Sequence, residues 1–327
     1  MRRFIRSHIR VFILSALLGM TLVAGAERAP EAEFVRVAGG TAEQLAPEQL
    51  ALRDALILGV VEGVTEYLPV SSTGHLILAA WVLDLDQESP GIKAFQIVIQ
   101  LGAILAVLTL YKRPVARMLK GGIGRDRPGL IFGLKLFTAF LPAAIVGLLC
   151  EDLIDHYLFS QWWVAFFLAV GGLAMIVVEG MVKRRPRPPV SAGMSLVDGG
   201  LTWAQAVGIG CFQCLALCPG MSRSMVTIIG GLMLGLGMSR AAEFSFLLAL
   251  PTLGAATVYK LLSAWGALIE GVGWMGISAG LLVSYVVAVI SVKLLVSWLT
   301  KWGLSPFGVY RLIAAALVGL VLVAQRG

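Results

Sequence analysis

The sequence is short of charge. Asp, Glu, Lys and Arg make up 14% of its 327 residues, where a soluble domain carries about 25%. The 26 basic and 19 acidic side chains cannot cover a water-facing surface of that size, which excludes a soluble globule and a charge-rich nucleic-acid binder. Cysteine is scarce too: four residues do not make a disulfide scaffold. What replaces charge is apolar surface, with 58% hydrophobic residues and a mean hydropathy of +0.87. A disordered chain is excluded by the same figures, and an all-α, multi-span membrane protein with the lipid bilayer as its partner is predicted. The net charge of +7 then records topology, because Lys and Arg collect in loops left on the cytoplasmic side.

Residues 1–26 read as a secretory signal peptide or signal anchor. Arg2, Arg3, Arg6 and Arg10 precede an apolar stretch from Val11 to Gly25, and Ala24 and Ala26 form the small-residue cleavage pattern. The polar segment 27–49 is therefore expected outside the membrane. Six apolar stretches, at 92–111, 130–149, 162–180, 244–262, 273–298 and 307–325, are long enough to cross it. Regions 52–84 and 198–237 are apolar but interrupted near their middles, by Leu68-Pro69-Val70-Ser71-Ser72-Thr73-Gly74-His75 and by Cys218-Pro219-Gly220-Met221-Ser222-Arg223-Ser224. Non-helical backbone at membrane depth survives only when buried in protein or lining a watery cavity. Lys112, Arg113, Arg117, Lys120, Arg125 and Arg127 mark one cytoplasmic loop, and Lys183, Arg184, Arg185 and Arg187 a second. Counting crossings makes each broken region a re-entrant hairpin. An alignment offset of 150 residues puts Ser72 on Ser222, and Tyr111-Lys112 and Tyr259-Lys260 end similar spans. The reading is an inverted-topology repeat, 50–190 and 191–327, each half one re-entrant helical hairpin plus three transmembrane helices, with the site at the midplane.

Glu62 and Glu66 are four residues apart and so share a helix face, with His75 just past the break. Charged groups at this depth cost roughly 3 kcal/mol each, so a shared polar cavity is expected. A Glu–Arg pair that only pins the hairpins together is the plainer alternative. Ser71, Ser72, Thr73, Gly220, Ser222 and Ser224 open the second half-helices, whose free N–H groups suit an anion, with Arg223 as a planar phosphate fork. Ordinary N-capping is the competing role for the serines, Ser71 and Ser224 above all. Two carboxylates beside a phosphate site suggest a divalent cation, Mg2+ or Ca2+, on Glu62 and Glu66. Cys211, Cys214 and Cys218 read as packing residues. His156 reads as part of an acidic outer loop with Glu151, Asp152 and Asp155.

Glu62 through His75 closely resembles the first signature of the undecaprenyl-diphosphate phosphatase (bacitracin-resistance) family, and Gln213 through Ser224 is similar to its second. Phe95–Gly102 and Tyr310-Arg311 fit as well, so the resemblance covers roughly residues 50 to 325. It implies hydrolysis of undecaprenyl diphosphate, a polyprenyl lipid, to the monophosphate carrier in the bacterial plasma membrane, with a divalent cation and a cavity open to the outer, periplasmic face. Ser72 is the expected nucleophile, with His75 or a glutamate as its base, and Arg223 stabilises the transferred phosphoryl. Activation of water by Glu or His, with Ser72 only a donor, is the rival mechanism. A transporter or flippase of a phosphate or lipid phosphate is the alternative function. A homodimer is left open. The sequence departs from the family at Met225-Val226, where Gly-Ala is usual, which is expected to narrow the pocket or alter helix packing.

Overall fold

The computed structural model describes residues 49–158, 160–184 and 195–324, and for 151–158 the backbone alone. The signal segment, the polar stretch up to residue 48, the His156 cluster side chains and the basic loop beyond Arg184 lie outside the described residues. All regular structure among the described residues is helical: α1 (Leu52–Thr65), α2 (Ser72–Val82), α3 (Pro90–Val98), α4 (Gln100–Leu110), α5 (Lys112–Gly122), α6 (Arg127–Leu158), α7 (Gln161–Arg184), α8 (Trp203–Gln213), α9 (Arg223–Met233), α10 (Met238–Trp302) and α11 (Ser305–Ala324). Among the described residues five apolar helices are long enough to cross a membrane: α3–α4 taken as one, the Arg127–Cys150 part of α6, α7, α10 and α11. At 65 residues a straight α10 would reach about 100 Å. It is broken at Ala264 (φ −130°) and Gly273 (φ 71°), so residues 238–263 and 274–302 form separate long pieces, where the sequence suggests two spans.

The two interrupted regions each fold as helix, break, helix. α1, α2, α8 and α9 have 14, 11, 11 and 11 residues, about 16–21 Å of helix, too short to span the hydrocarbon alone. The stretch expected as the first cytoplasmic loop is itself structured. α5 carries Lys112, Arg113, Arg117 and Lys120, and Arg117 binds Asp126 through Nε (2.7 Å) and Nη2 (3.2 Å) and Asp198 through Nη1 (2.7 Å). Arg117's hydrogen bonds and the Gly129 N–H hold the Asp126 carboxyl below the usual carboxylate range.

Small residues let the helices close. Gly59 and Gly63 of α1 lie on Gly280 and Ser284 of α10, where an added Cβ would come within 2.7 and 2.6 Å of backbone oxygens. Gly172 of α7 and Gly308 of α11 stand against each other's carbonyls in the same way, at 2.7 Å each. Such seams are how helices associate when lipid removes the hydrophobic drive between them. The outer faces carry exposed leucines, among them Leu148, Leu149, Leu262 and Leu320, a surface that water would disfavour and a bilayer covers.

Candidate active site

Both breaks are built alike. Pro69 and Pro219 cannot continue a helix, and one serine then turns the chain through a left-handed conformation: Ser71 at φ 77° and Ser222 at φ 73°. Each serine caps the helix that follows, its Oγ accepting from Gly74 N and Met225 N, both at 3.3 Å. The matching pairs are thus Ser71 with Ser222 and α2 with α9, an offset of 151 residues. The expected pairing of Ser72 with Ser222 is off by one. A sequence comparison matched serine to serine, whereas the backbone matches cap to cap, which places Ser72 opposite Arg223.

The breaks are tied together by a residue the sequence reading noted only through resemblance. Arg311 is fully buried on α11. It donates to Pro69 O (3.3 Å) in the first break, to Gly220 O (2.7 Å) in the second, and to Phe167 O (2.9 Å) and Leu168 O (3.2 Å) of α7. Its signal was available: it is the lone charge in the last apolar stretch, and such residues mark buried polar architecture. Gly220, at φ 93° with Val164 O where a Cβ would sit, admits no other residue without strain.

The starts of α2 and α9 face a cavity of about 520 Å3 lined on its polar side by Glu66, Ser72, Thr73, Ser222 and Arg223. Glu66 is the hub: its Oε2 accepts from Ser72 Oγ at 2.5 Å and its Oε1 from Arg223 Nη2 at 2.8 Å. The guanidinium also donates through Nη1 to Ser245 O (2.7 Å) and lies 5.5 Å from the Tyr67 ring, a cation–π distance. Arg223 Nε has no partner among the described residues. Glu62 is fully buried. It sits one helical turn before Glu66 on α1, and neither of its oxygens has a hydrogen-bond partner among the described residues.

The remaining expected residues divide. Ser71, Thr73, Gly220 and Ser222 line the cavity. Ser71 is a cap whose carbonyl accepts from His75 Nδ1 at 2.7 Å, and since a carbonyl can only accept, Nδ1 carries the proton. His75 Nε2 meets Tyr310 Oη at 2.7 Å, so the histidine turns to α11 and it is Glu66, not His75, that touches Ser72. Ser224 stands behind the cavity wall, its Oγ 3.1 Å from Ser222 Oγ and donating to Leu68 O at 3.0 Å, which stitches one break to the other.

Comparison with known proteins now decides what this arrangement belongs to. Residues 55–317 match the family described as bacitracin resistance protein BacA. The chain belongs to that family. It is similar to a protein named undecaprenyl-diphosphatase from Sorangium cellulosum, 47% identical over 267 residues that cover 81% of this chain and 84% of that relative. A protein of the same name from Novosphingobium aromaticivorans is 43% identical over 83% of this chain and 98% of its own length. A third, from Bdellovibrio bacteriovorus, is 39% identical over 82% and 95%. The BacA match takes in both breaks and Arg311. Within that frame Met225 is accommodated by packing: it is buried, its Cε lies against Gly171 of α7, and it is absent from the cavity wall.

Proposed function

We propose that the protein is an undecaprenyl-diphosphate phosphatase, which releases the terminal phosphate and returns the lipid monophosphate to cell-wall synthesis; bacitracin resistance follows from keeping that carrier in circulation. The observation that carries this reading is the Ser72–Glu66–Arg223 chain set between two helix N-termini. It offers a hydroxyl already hydrogen-bonded to a carboxylate, a cation, and free N–H groups at one cavity.

Glu66 takes the Ser72 proton as Oγ attacks the terminal phosphorus. The bond to the bridging oxygen breaks, and the lipid monophosphate leaves with that oxygen. Water then cleaves the phosphoserine to inorganic phosphate and serine regains its proton. Arg223, with Nε unengaged, and the N–H groups at the starts of α2 and α9 offset the charge on the phosphoryl oxygens. Glu62 and Glu66 would hold a divalent cation, Mg2+ or Ca2+, and the two unpartnered oxygens of Glu62 fit that role. No group of three or more His, Cys, Asp or Glu is placed to hold a metal ion among the described residues, so phosphate oxygens and water would complete the shell, as Mg2+ prefers. When bound, the cation acts as a Lewis acid on the phosphate.

Further support comes from the cavity's apolar wall, with Phe140, Ala143, Ala144, Gly147 and Leu148 of α6. Leu148 is 71% exposed, so the mouth reaches the lipid-facing surface where a polyprenyl tail would lie. The like-built breaks support an inverted repeat, and with it a plasma-membrane protein whose cavity opens to the periplasm. The test is inorganic phosphate release from the purified protein in detergent with an isoprenyl diphosphate. Turnover that chelator abolishes and Mg2+ or Ca2+ restores is expected, with Glu62→Gln needing more cation and Glu66→Gln, which also removes the base on Ser72, inactive at any cation concentration. Absence of phosphate release in every condition would leave only a carrier of lipid phosphates.

A further inference from the structure

One polar side chain on the cavity wall has no part in the chemistry above. Gln213 ends α8, is 1% exposed, and lines the same cavity. Its amide lies 3.2 Å from Thr252 Oγ1, whose single proton is shared with Leu248 O at 2.8 Å; whichever way the amide is turned, at least one Nε2 proton is left without an acceptor among the described residues. A buried amide donor without an acceptor is costly, and a methionine would fill the same volume without that cost. The donor therefore calls for an acceptor that arrives in the cavity. Gln213 also stands 151 residues from Glu62, the offset that relates the two breaks. The equivalent positions hold a buried donor and a buried acceptor, both unpartnered.

Its place along the cavity says which acceptor. Arg223 is anchored to Ser245 of α10, and Gln213 to Thr252, seven residues and so about 10 Å further along that helix. Beyond Thr252 the wall continues through Ala255, Ala256 and Tyr259, away from the Ser72 end. A diphosphate with its terminal phosphoryl at Ser72 and Arg223 runs its second phosphate in that direction. We propose that Gln213 Nε2 donates to the lipid-linked phosphate, the one retained by the leaving product, and so makes the site read a diphosphate rather than any phosphate. This rests on the phosphatase reading. A neutral donor suits the position, because a charged one would hold the lipid monophosphate product.

The experiment measures binding of an isoprenyl monophosphate, the product class, to the full-length protein in detergent, alongside inhibition of turnover by inorganic phosphate. Gln213→Met should fold, since it conserves volume. It should weaken monophosphate binding and raise KM for the diphosphate about tenfold, with kcat within about threefold and phosphate inhibition unchanged. Gln213→Glu, with an acceptor in place of the donor, should be worse than Gln213→Met. Unchanged binding in Gln213→Met, a Gln213→Glu variant as good as wild type, or equal weakening of both inhibitors would each overturn the proposal. Failure of wild type to release phosphate would count against the phosphatase reading instead, while the monophosphate binding comparison would still decide the role of Gln213.

Discussion

Arg223 has two duties that pull its variants in different directions. It neutralises Glu66 at rest, with both side chains less than a tenth exposed, and it meets the substrate's negative charge during turnover. Arg223→Ala should lower kcat/KM by about 10^3-fold or more, and Arg223→Lys, which keeps the charge but loses the fork, should also be seriously impaired. The alanine variant should lose stability as well, by about 3 kcal/mol, because a buried carboxylate is left unpaired. Adding Glu66→Gln should recover part of the thermal midpoint in detergent and none of the activity. Near-native phosphate release from Arg223→Ala would reduce the arginine to a strut.

Helices in this protein are held by close backbone approach, so their sensitivity lies at small residues. On α1, Gly59 and Gly63 carry the seam with α10, while Glu62 and Glu66 ride the same helix. Gly63→Ala puts a methyl where Ser284 O and the Val287 side chain already stand, within 2.6 and 2.8 Å. The overpacking should cost about 1–3 kcal/mol and shift both carboxylates. Reduced thermal stability together with reduced phosphate release is expected, whereas Gly122→Ala, with open space around it, should change neither. The α5 end behaves differently, being electrostatic. Since Asp126 is held low when folded, its contribution is present above the unfolded value of about 4 and is lost as pH falls through the folded one. A pH series of thermal midpoints should therefore converge for wild type and Asp126→Asn in acid and separate above about pH 4. Parallel curves would dissociate the Arg117 network from stability.

For the molecule as a whole, the basic α5 and the loop after α2, at the two ends of the α3–α4 span, are expected on opposite sides of the bilayer. In a background with the four native cysteines replaced, Glu88→Cys should label from outside with an impermeant reagent and Lys120→Cys only after the membrane is opened. Equal outside labelling of both would dismantle the hairpin count and the proposed outward opening of the cavity.

Much of this was legible in the amino-acid order. Scarce charge and long apolar runs dictate a helical membrane protein, since only internal hydrogen bonding tolerates hydrocarbon. Ionisable and hydroxyl residues clustered at Pro69 and Pro219 mark where that rule is broken, which is how Glu62, Glu66, Ser72 and Arg223 stood out. Only tertiary structure decided who touches whom. Glu66 rather than His75 sits on Ser72, Ser224 is spent on Leu68, and the two breaks correspond cap to cap. Arg311 joins segments more than 240 residues apart by binding carbonyls, groups that every residue carries and no sequence pattern distinguishes. Gln213 was hidden for a related reason. An amide among apolar residues looks like packing until its donor is seen, buried and unanswered, at the wall of the cavity.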